Sequence, residues 1–204
     1  MQIRAKYDEK NQEATLIDDL QNKLSGDFKD IIVKLFQGRA EMDVDQLKRA
    51  MGFFINDQPA VYEIAATRPQ WLKDQIKTLY KNDTGKDLEA DLEKFAPSGV
   101  KKPLIMFLNT ERRVNKEPDH EKCQKDAAKL YGERVENWIT NEEILKDIFA
   151  TSSPEELVLT ARYYLKKTGS TILESIDKLP SAQRKFFYNV LYHVINPPEM
   201  YAKK

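Results

Sequence analysis

The stretch Ile55–Lys94, INDQPAVYEIAATRPQWLKDQIKTLYKNDTGKDLEADLEK, lies without a gap over Ile139–Lys178, ITNEEILKDIFATSSPEELVLTARYYLKKTGSTILESIDK. Ala66-Thr67 falls on Ala150-Thr151, Tyr80 on Tyr164, and Thr84-Gly85 on Thr168-Gly169. Leu88 and Leu92 meet Ile172 and Ile176. Self-similarity of this kind is the mark of a structural repeat. Within it, Ile76, Leu79 and Tyr80 stand at i, i+3 and i+4, the spacing of a buried helical face. An earlier segment, Leu20–Gly26 with Phe28, follows Leu92–Gly99 less completely.

Working outward, each unit reads as several short helices. Asp43–Met51 carries Leu47, Ala50 and Met51 on one stripe, and Pro59–Ala66 forms a second helix with proline in its first turn. The helix holding Ile76 ends at Thr84-Gly85, because glycine accepts the left-handed cap. Leu88 and Leu92 mark a fourth helix, Ser98-Gly99 breaks the chain, and Leu104–Leu108 is apolar enough for a buried fifth. The polar segment Asn109–Lys122 is the best internal boundary. Strand signals are nearly absent, so the expected class is all-α.

Composition narrows the function. The 204 residues carry 33 Lys+Arg and 33 Asp+Glu, so no bulk charge favours nucleic acid, and none is expected as a partner. The single cysteine, Cys123, makes an internal disulfide and a CxxC metal site impossible. Apolar runs fall well short of the ~20 residues a membrane span needs. The opening MQIRAKYDEK is polar, so no signal peptide is expected and any membrane role is peripheral. His120 and His193 form no metal-site pair, and neither GxxxxGK[ST] nor GxSxG occurs. No enzyme is expected. His193 lies in the apolar run Phe186–Ile195 and reads as a core or interface residue, and Phe186-Phe187-Tyr188 reads as core.

Several segments resemble one family. Asp43–Met51 resembles the first helix of an annexin repeat, and Ile64-Ala65-Ala66-Thr67-Arg68 resembles its "I-L-x-T/S-R" segment. Gly85–Leu92 resembles "G-K-D-L-E-x-D-L", and Leu24–Phe28 resembles "T/S-G-D/N-F". Asp126–Tyr131 followed by Trp138–Glu143 is similar to the third annexin repeat, and the polar linker sits at the longer second-to-third connection. The divergence is reminiscent of the protozoan alpha-giardins. The resemblance implies five short helices per repeat of about seventy to eighty residues. It divides the chain into a partial repeat at 1–40 (its last three helices), a second repeat at 41–110, a linker at 111–122, a third repeat at 123–197 and the start of another at 198–204. The first two helices of one repeat and most of another are then missing.

The resemblance also implies a role: calcium-dependent binding of acidic phospholipid from the cytoplasm. In the family, "G-x-G-T-D/E" loops offer carbonyl oxygens to calcium and an acid after the fourth helix completes the shell. Here the carbonyl positions are Met51, Phe53 and Ile55 in the second repeat and Arg134, Asn137 and Ile139 in the third. Phe53, Ile55 and Ile139 stand where the family has glycine, and a β-branched residue takes positive φ only at high cost. The acid positions hold Lys23, Phe95 and Leu179. Calcium takes six to eight oxygens, usually with charge among them, so its affinity is expected to be weak or lost. Asp57, Glu142 and Glu143 read either as carboxylates for a lower-affinity surface site or, in preference, as first-turn residues favoured by the helix dipole. Phe54 and Trp138 align at the loop tips, where they either reach the membrane interface or fold inward as packing, the commoner fate of aromatics. The alternative is a calcium-independent scaffold on the same framework, bound to cytoskeletal protein or to itself.

Overall fold

The computed structural model describes residues 2–11, 13–52, 54–114 and 117–195. The opening of a further repeat, expected at 198–204, lies outside them. No strand occurs among the described residues. Three helices come first: α1 (Gln2–Lys10), α2 (Leu16–Lys23) and α3 (Gly26–Phe36). A five-helix unit follows: α4 (Arg39–Ala50), α5 (Gln58–Thr67), α6 (Gln70–Thr84), α7 (Leu88–Phe95) and α8 (Lys101–Asn109). The next unit holds α9 (His120–Gly132), a short turn α10 (Asn137–Thr140), α11 (Glu142–Ile144) running into a π-helical stretch Leu145–Ala150, α12 (Pro154–Thr168), α13 (Ile172–Ile176) and α14 (Ser181–Ile195).

Local chemistry sets these boundaries. α4 begins before the expected Asp43, because Glu41 reaches back to accept the Gly38 N–H at 2.6 Å, a capping interaction. Asp57, Asp87 and Ser153 cap α5, α7 and α12 in the same way, through side-chain oxygens that accept backbone N–H groups. α6 and α12 occupy corresponding positions and both end on a left-handed glycine, Gly85 at φ 70° and Gly169 at φ 73°. A residue with Cβ pays a penalty there that glycine does not.

The units pack through their second and fifth helices. α5 lies on α8 of its own unit and on α14 of the next, while α8 also meets the π-helical stretch. Tyr62 of α5 meets Phe186 of α14 edge-on at 5.0 Å, and Phe186 meets Phe107 of α8 at 5.6 Å. Phe187 continues the chain of rings to Phe149 at 4.9 Å. Edge-to-face pairs contribute about 0.5–1.5 kcal/mol beyond their buried area. Phe186 and Phe187 are core and Tyr188 packs at its margin, while His193 is half-buried, 3.8 Å from the Glu63 carboxylate.

Charged side chains tie helices together both within a unit and between the units. Arg68 makes a two-point pair with Asp43, at 2.8 and 2.9 Å, fixing the end of α5 against α4. In the expected linker the described residues 110–114 and 117–119 are irregular, and the first of them turn inward. The Arg112 guanidinium donates to the carbonyls of Ala66, Phe149 and Ser152, which come from both units. Burial lowers its pKa to about 10. Lys73 of α6, fully buried, donates to the carbonyls of Phe107 and Thr110 at 2.7 and 3.0 Å. Burial, helped by Arg112 and Lys77, pushes its ammonium down to about 8. These cations satisfy carbonyls at helix C-termini, where positive charge is favoured.

Candidate functional site

The loop after α4 closes on its own backbone. The Gly52, Ile55 and Asp57 N–H groups donate to the carbonyls of Arg49, Gly52 and Ala50, at 3.0, 3.3 and 3.1 Å. Asp57 then caps α5 by accepting the Ala60 N–H at 3.2 Å. Met51 packs against the core, whereas Ile55 is exposed and Phe54 is 95% exposed at the loop tip. Phe53 lies outside the described residues. Positive φ among them occurs at Gly26, Gly85, Gly99 and Gly169, and at no described residue of either expected calcium loop.

The corresponding loop of the next unit winds into the helical turn α10. The Arg134, Val135 and Asn137 carbonyls accept the N–H groups of Asn137, Trp138 and Asn141 at 2.9, 3.1 and 2.8 Å. The Arg134 side chain points to Glu136 at 3.5 Å, and Asn137 donates to Glu133 at 2.9 Å. Ile139 is buried. Of the two readings for Trp138, membrane contact is the one the structure contradicts: the residue is 1% exposed and faces the core. Its ring packs on Tyr164 at 5.6 Å and Phe149 at 6.1 Å, and its indole N–H donates to the Leu130 carbonyl at 3.2 Å. The turn aims the ring inward, and the buried N–H finds the acceptor it needs. Glu142 and Glu143 lie in the first turn of α11 behind the Asn141 cap, and Glu143 pairs with Lys129.

The acid positions follow the same division. Lys23 is exposed at the end of α2 and pairs with Asp19 at 3.6 Å. Phe95 is half-buried at the end of α7, and Leu179 is core at 3% exposure. A carboxylate at 179 would lie among apolar side chains. No group of three His, Cys, Asp or Glu that would hold a metal occurs among the described residues. The donors described in these loops therefore do not fit the charged oxygen shell that calcium takes.

Phe95 and Met51 instead wall a cleft of about 420 Å³ between the end of α4 and α7. Its polar lining is Lys48, Lys86, Lys94, Asp91 and Tyr80. Burial and the hydrogen bond to Asp91 push the Tyr80 phenol up to about 12, so it keeps its proton and donates to Asp91 at 2.9 Å. Lys94 sits 3.4 Å from the same carboxylate, and Lys48 pairs with Asp83. Lys48 and Lys86 lie in the Asp43–Met51 and Gly85–Leu92 segments quoted above, but nothing in either segment shows that the three lysines share a cleft. Among the described residues, no helix is long and apolar enough to cross a membrane.

No family model matches the chain. Among curated proteins it is similar to annexin A6 of Mus musculus, 29% identical over 190 residues, or 93% of this chain and 28% of that one. It is 30% identical to annexin A5 of Macaca fascicularis over 164 residues, 80% of this chain and 51% of that one. The chain thus spans less than two thirds of the length of either relative. Among solved structures, annexin III superposes with a TM-score of 0.81 at 26% identity, over 98% of this chain and 62% of that one. A calcium-bound alpha-1 giardin, 17% identical with a TM-score of 0.69 over 96% of this chain and 65% of that one, shares the fold.

Proposed function

The chain belongs to the annexin family, and from that premise we propose that it binds acidic phospholipid surfaces peripherally, with calcium contributing little. The carrying observation is Phe54, 95% exposed at the tip of the loop between α4 and α5, with exposed Ile55 beside it. An aromatic and a branched aliphatic side chain at a loop tip suit the boundary of a bilayer. Calcium-bound structures in the family motivate the calcium step; the used carbonyls of Arg134 and Asn137 and the side chains at Lys23, Phe95 and Leu179 argue for its loss here. The role is one of binding, not catalysis, in the cytoplasm at a membrane surface. Repeats at 41–110 and 123–197 belong to the same reading.

Sedimentation with phosphatidylserine vesicles, in calcium and in chelator, tests it. Binding in both conditions, with little gain from calcium, is the expected outcome. No binding in either rejects the reading, and strong binding confined to calcium rejects its second half.

A second reading, a scaffold that self-associates or joins cytoskeletal protein, is favoured by α3. Phe28, Ile31 and Leu35 are all exposed there and fall along one helical stripe. Mass in solution at micromolar concentration, with filament co-pelleting, is its test. A monomer that pellets with no filament rejects it.

A further inference from the structure

We propose that the cleft lined by Lys48, Lys86 and Lys94 takes a phosphate group directly, with ammonium groups in place of a bridging divalent cation. The proposal rests on the membrane reading above and names the chemistry of contact. Three lysines and one carboxylate are in the lining, and that carboxylate, Asp91, already accepts from Tyr80 and Lys94. Asp83 pairs with Lys48 from outside the lining. Lysine is an effective point charge for phosphate, and its three N–H donors adapt to oxygens at several angles.

The end of a helix explains part of this cluster. Lys48 and Lys94 stand in the last turns of α4 and α7, where cations complement the helix dipole. Lys86 has no such reason. It is exposed in the connection between α6 and α7, and no ion pair to its ammonium occurs among the described residues. It still faces the same cleft. The cleft is large enough for a phosphate, and its wall at Met51 leads within three residues to the exposed Phe54. A headgroup held in the cleft would therefore lie beside the side chain best placed to enter the bilayer. The other unit provides a contrast. Carried along the same alignment, Lys48 and Lys86 become Gly132 and Ser170, Asp91 becomes Ser175, and Phe54 becomes the buried Trp138. Of the three cations, Lys94 alone is kept, as Lys178. The lysine cluster and the exposed aromatic are present together in one unit and absent together in the other.

The test uses the full chain in chelator with phosphatidylserine vesicles. The variant Lys48→Gln/Lys86→Gln/Lys94→Gln is compared with Lys34→Gln/Lys125→Gln/Lys185→Gln, which makes the same change in net charge at exposed sites elsewhere. Partly exposed ion pairs contribute little to stability, so both should fold, as circular dichroism will check. The cleft variant should bind vesicles roughly tenfold or more weakly, since a lysine at a membrane surface is worth about fivefold. The control should bind like the parent. A second arm titrates labelled protein with inorganic phosphate and with glycerophosphoserine. Amide shifts at Lys48, Lys86 and Lys94 with either ligand support the site and include soluble phosphate among its occupants. A cleft variant that loses vesicle binding while soluble phosphates shift nothing assigns the lipid headgroup. Equal losses in both variants mean bulk charge and overturn the proposal. Vesicle binding that needs calcium and ignores the cleft variant also overturns it, and leaves a membrane role standing. No vesicle binding under any condition removes both.

Discussion

The loop between α4 and α5 and the turn between α9 and α11 occupy the same place in two copies of one five-helix unit, and they send their aromatic residues in opposite directions. Phe54 is 95% exposed, whereas Trp138 is 1% exposed. The neighbours explain the difference. Trp138 has Phe149 and Tyr164 to pack on and the Leu130 carbonyl for its N–H. In the first unit the position aligned with Phe149 is Ala65, itself buried, which has no ring to offer. A repeat therefore preserves the frame more faithfully than the surface it carries. One loop tip has become core and its sibling has remained outside.

The largest effect expected from this contrast is on stability. Trp138→Ala should lower the unfolding free energy by about 3–5 kcal/mol, the usual result of truncating a buried large aromatic. Phe54→Ala should change it by less than about 0.5 kcal/mol, as exposed substitutions generally do. Urea unfolding of both variants measures the difference. Comparable losses at the two positions would erase the distinction between the loops.

Next comes Lys73, whose partner in the second unit is Leu157. α14 runs on to Ile195, so the Leu191 carbonyl stays within its helix. α8 stops at Asn109, and Lys73 satisfies Phe107 and Thr110 instead. Lys73→Leu should make the units alike at this point and still destabilise the protein by about 2 kcal/mol, because it strands buried carbonyls. The effect should depend on pH. The folded Lys73 titrates near 8, below its ordinary 10.5. Between those values the unfolded chain holds a proton the folded chain has released, so raising the pH favours folding. The stability of the parent relative to Lys73→Leu should accordingly rise from about pH 8 to about 10.5, measured by unfolding at fixed ionic strength. A flat difference would mean that Lys73 keeps its charge in the fold.

A smaller effect falls on binding. Phe54→Ala should weaken association with phosphatidylserine vesicles by roughly tenfold, the loss expected when an aromatic side chain no longer enters an apolar phase. The parent's affinity in the variant would show that the loop tip never enters the bilayer.

The least change is expected at paired tyrosines. Tyr80 donates to Asp91, and Tyr164 shares a 3.0 Å hydrogen bond with Ser175. Tyr164→Phe should lose about 1 kcal/mol, the common worth of one such bond. Tyr80→Phe should cost a similar amount and also leave Asp91 less well held, which vesicle binding in chelator would register as a modest further loss.

Much of the architecture is legible in the string of residues alone. Ile76 and Tyr80 lie on a buried stripe as their spacing requires, and Gly85 and Gly169 end their helices in the left-handed form. Periodicity reports which positions share a face, and glycine marks where the backbone must turn, so neither needs a distant neighbour to be read. Lys73 is legible in part, since it adjoins Leu72 and lies three residues before Ile76 on that stripe; what it donates to is not. Arg112 reads as polar linker, because nothing local distinguishes a cation in solvent from one that closes two helix ends. Lys48, Lys86 and Lys94 come from separate elements and meet only in space.

By itself, then, the sequence determined an all-α chain of annexin-type repeats, and it showed the missing carboxylates at Lys23, Phe95 and Leu179. These are matters of residue identity and of spacing along one chain. The tertiary structure alone decided that Trp138 is core and Phe54 surface, that Lys73 closes the end of α8 and Arg112 the helix ends of both units, and that three lysines line one cleft. The physical reason is that a side chain's direction and charge environment are set by neighbours from distant segments. Those neighbours are chosen by packing, and local spacing does not encode which of them a loop will meet.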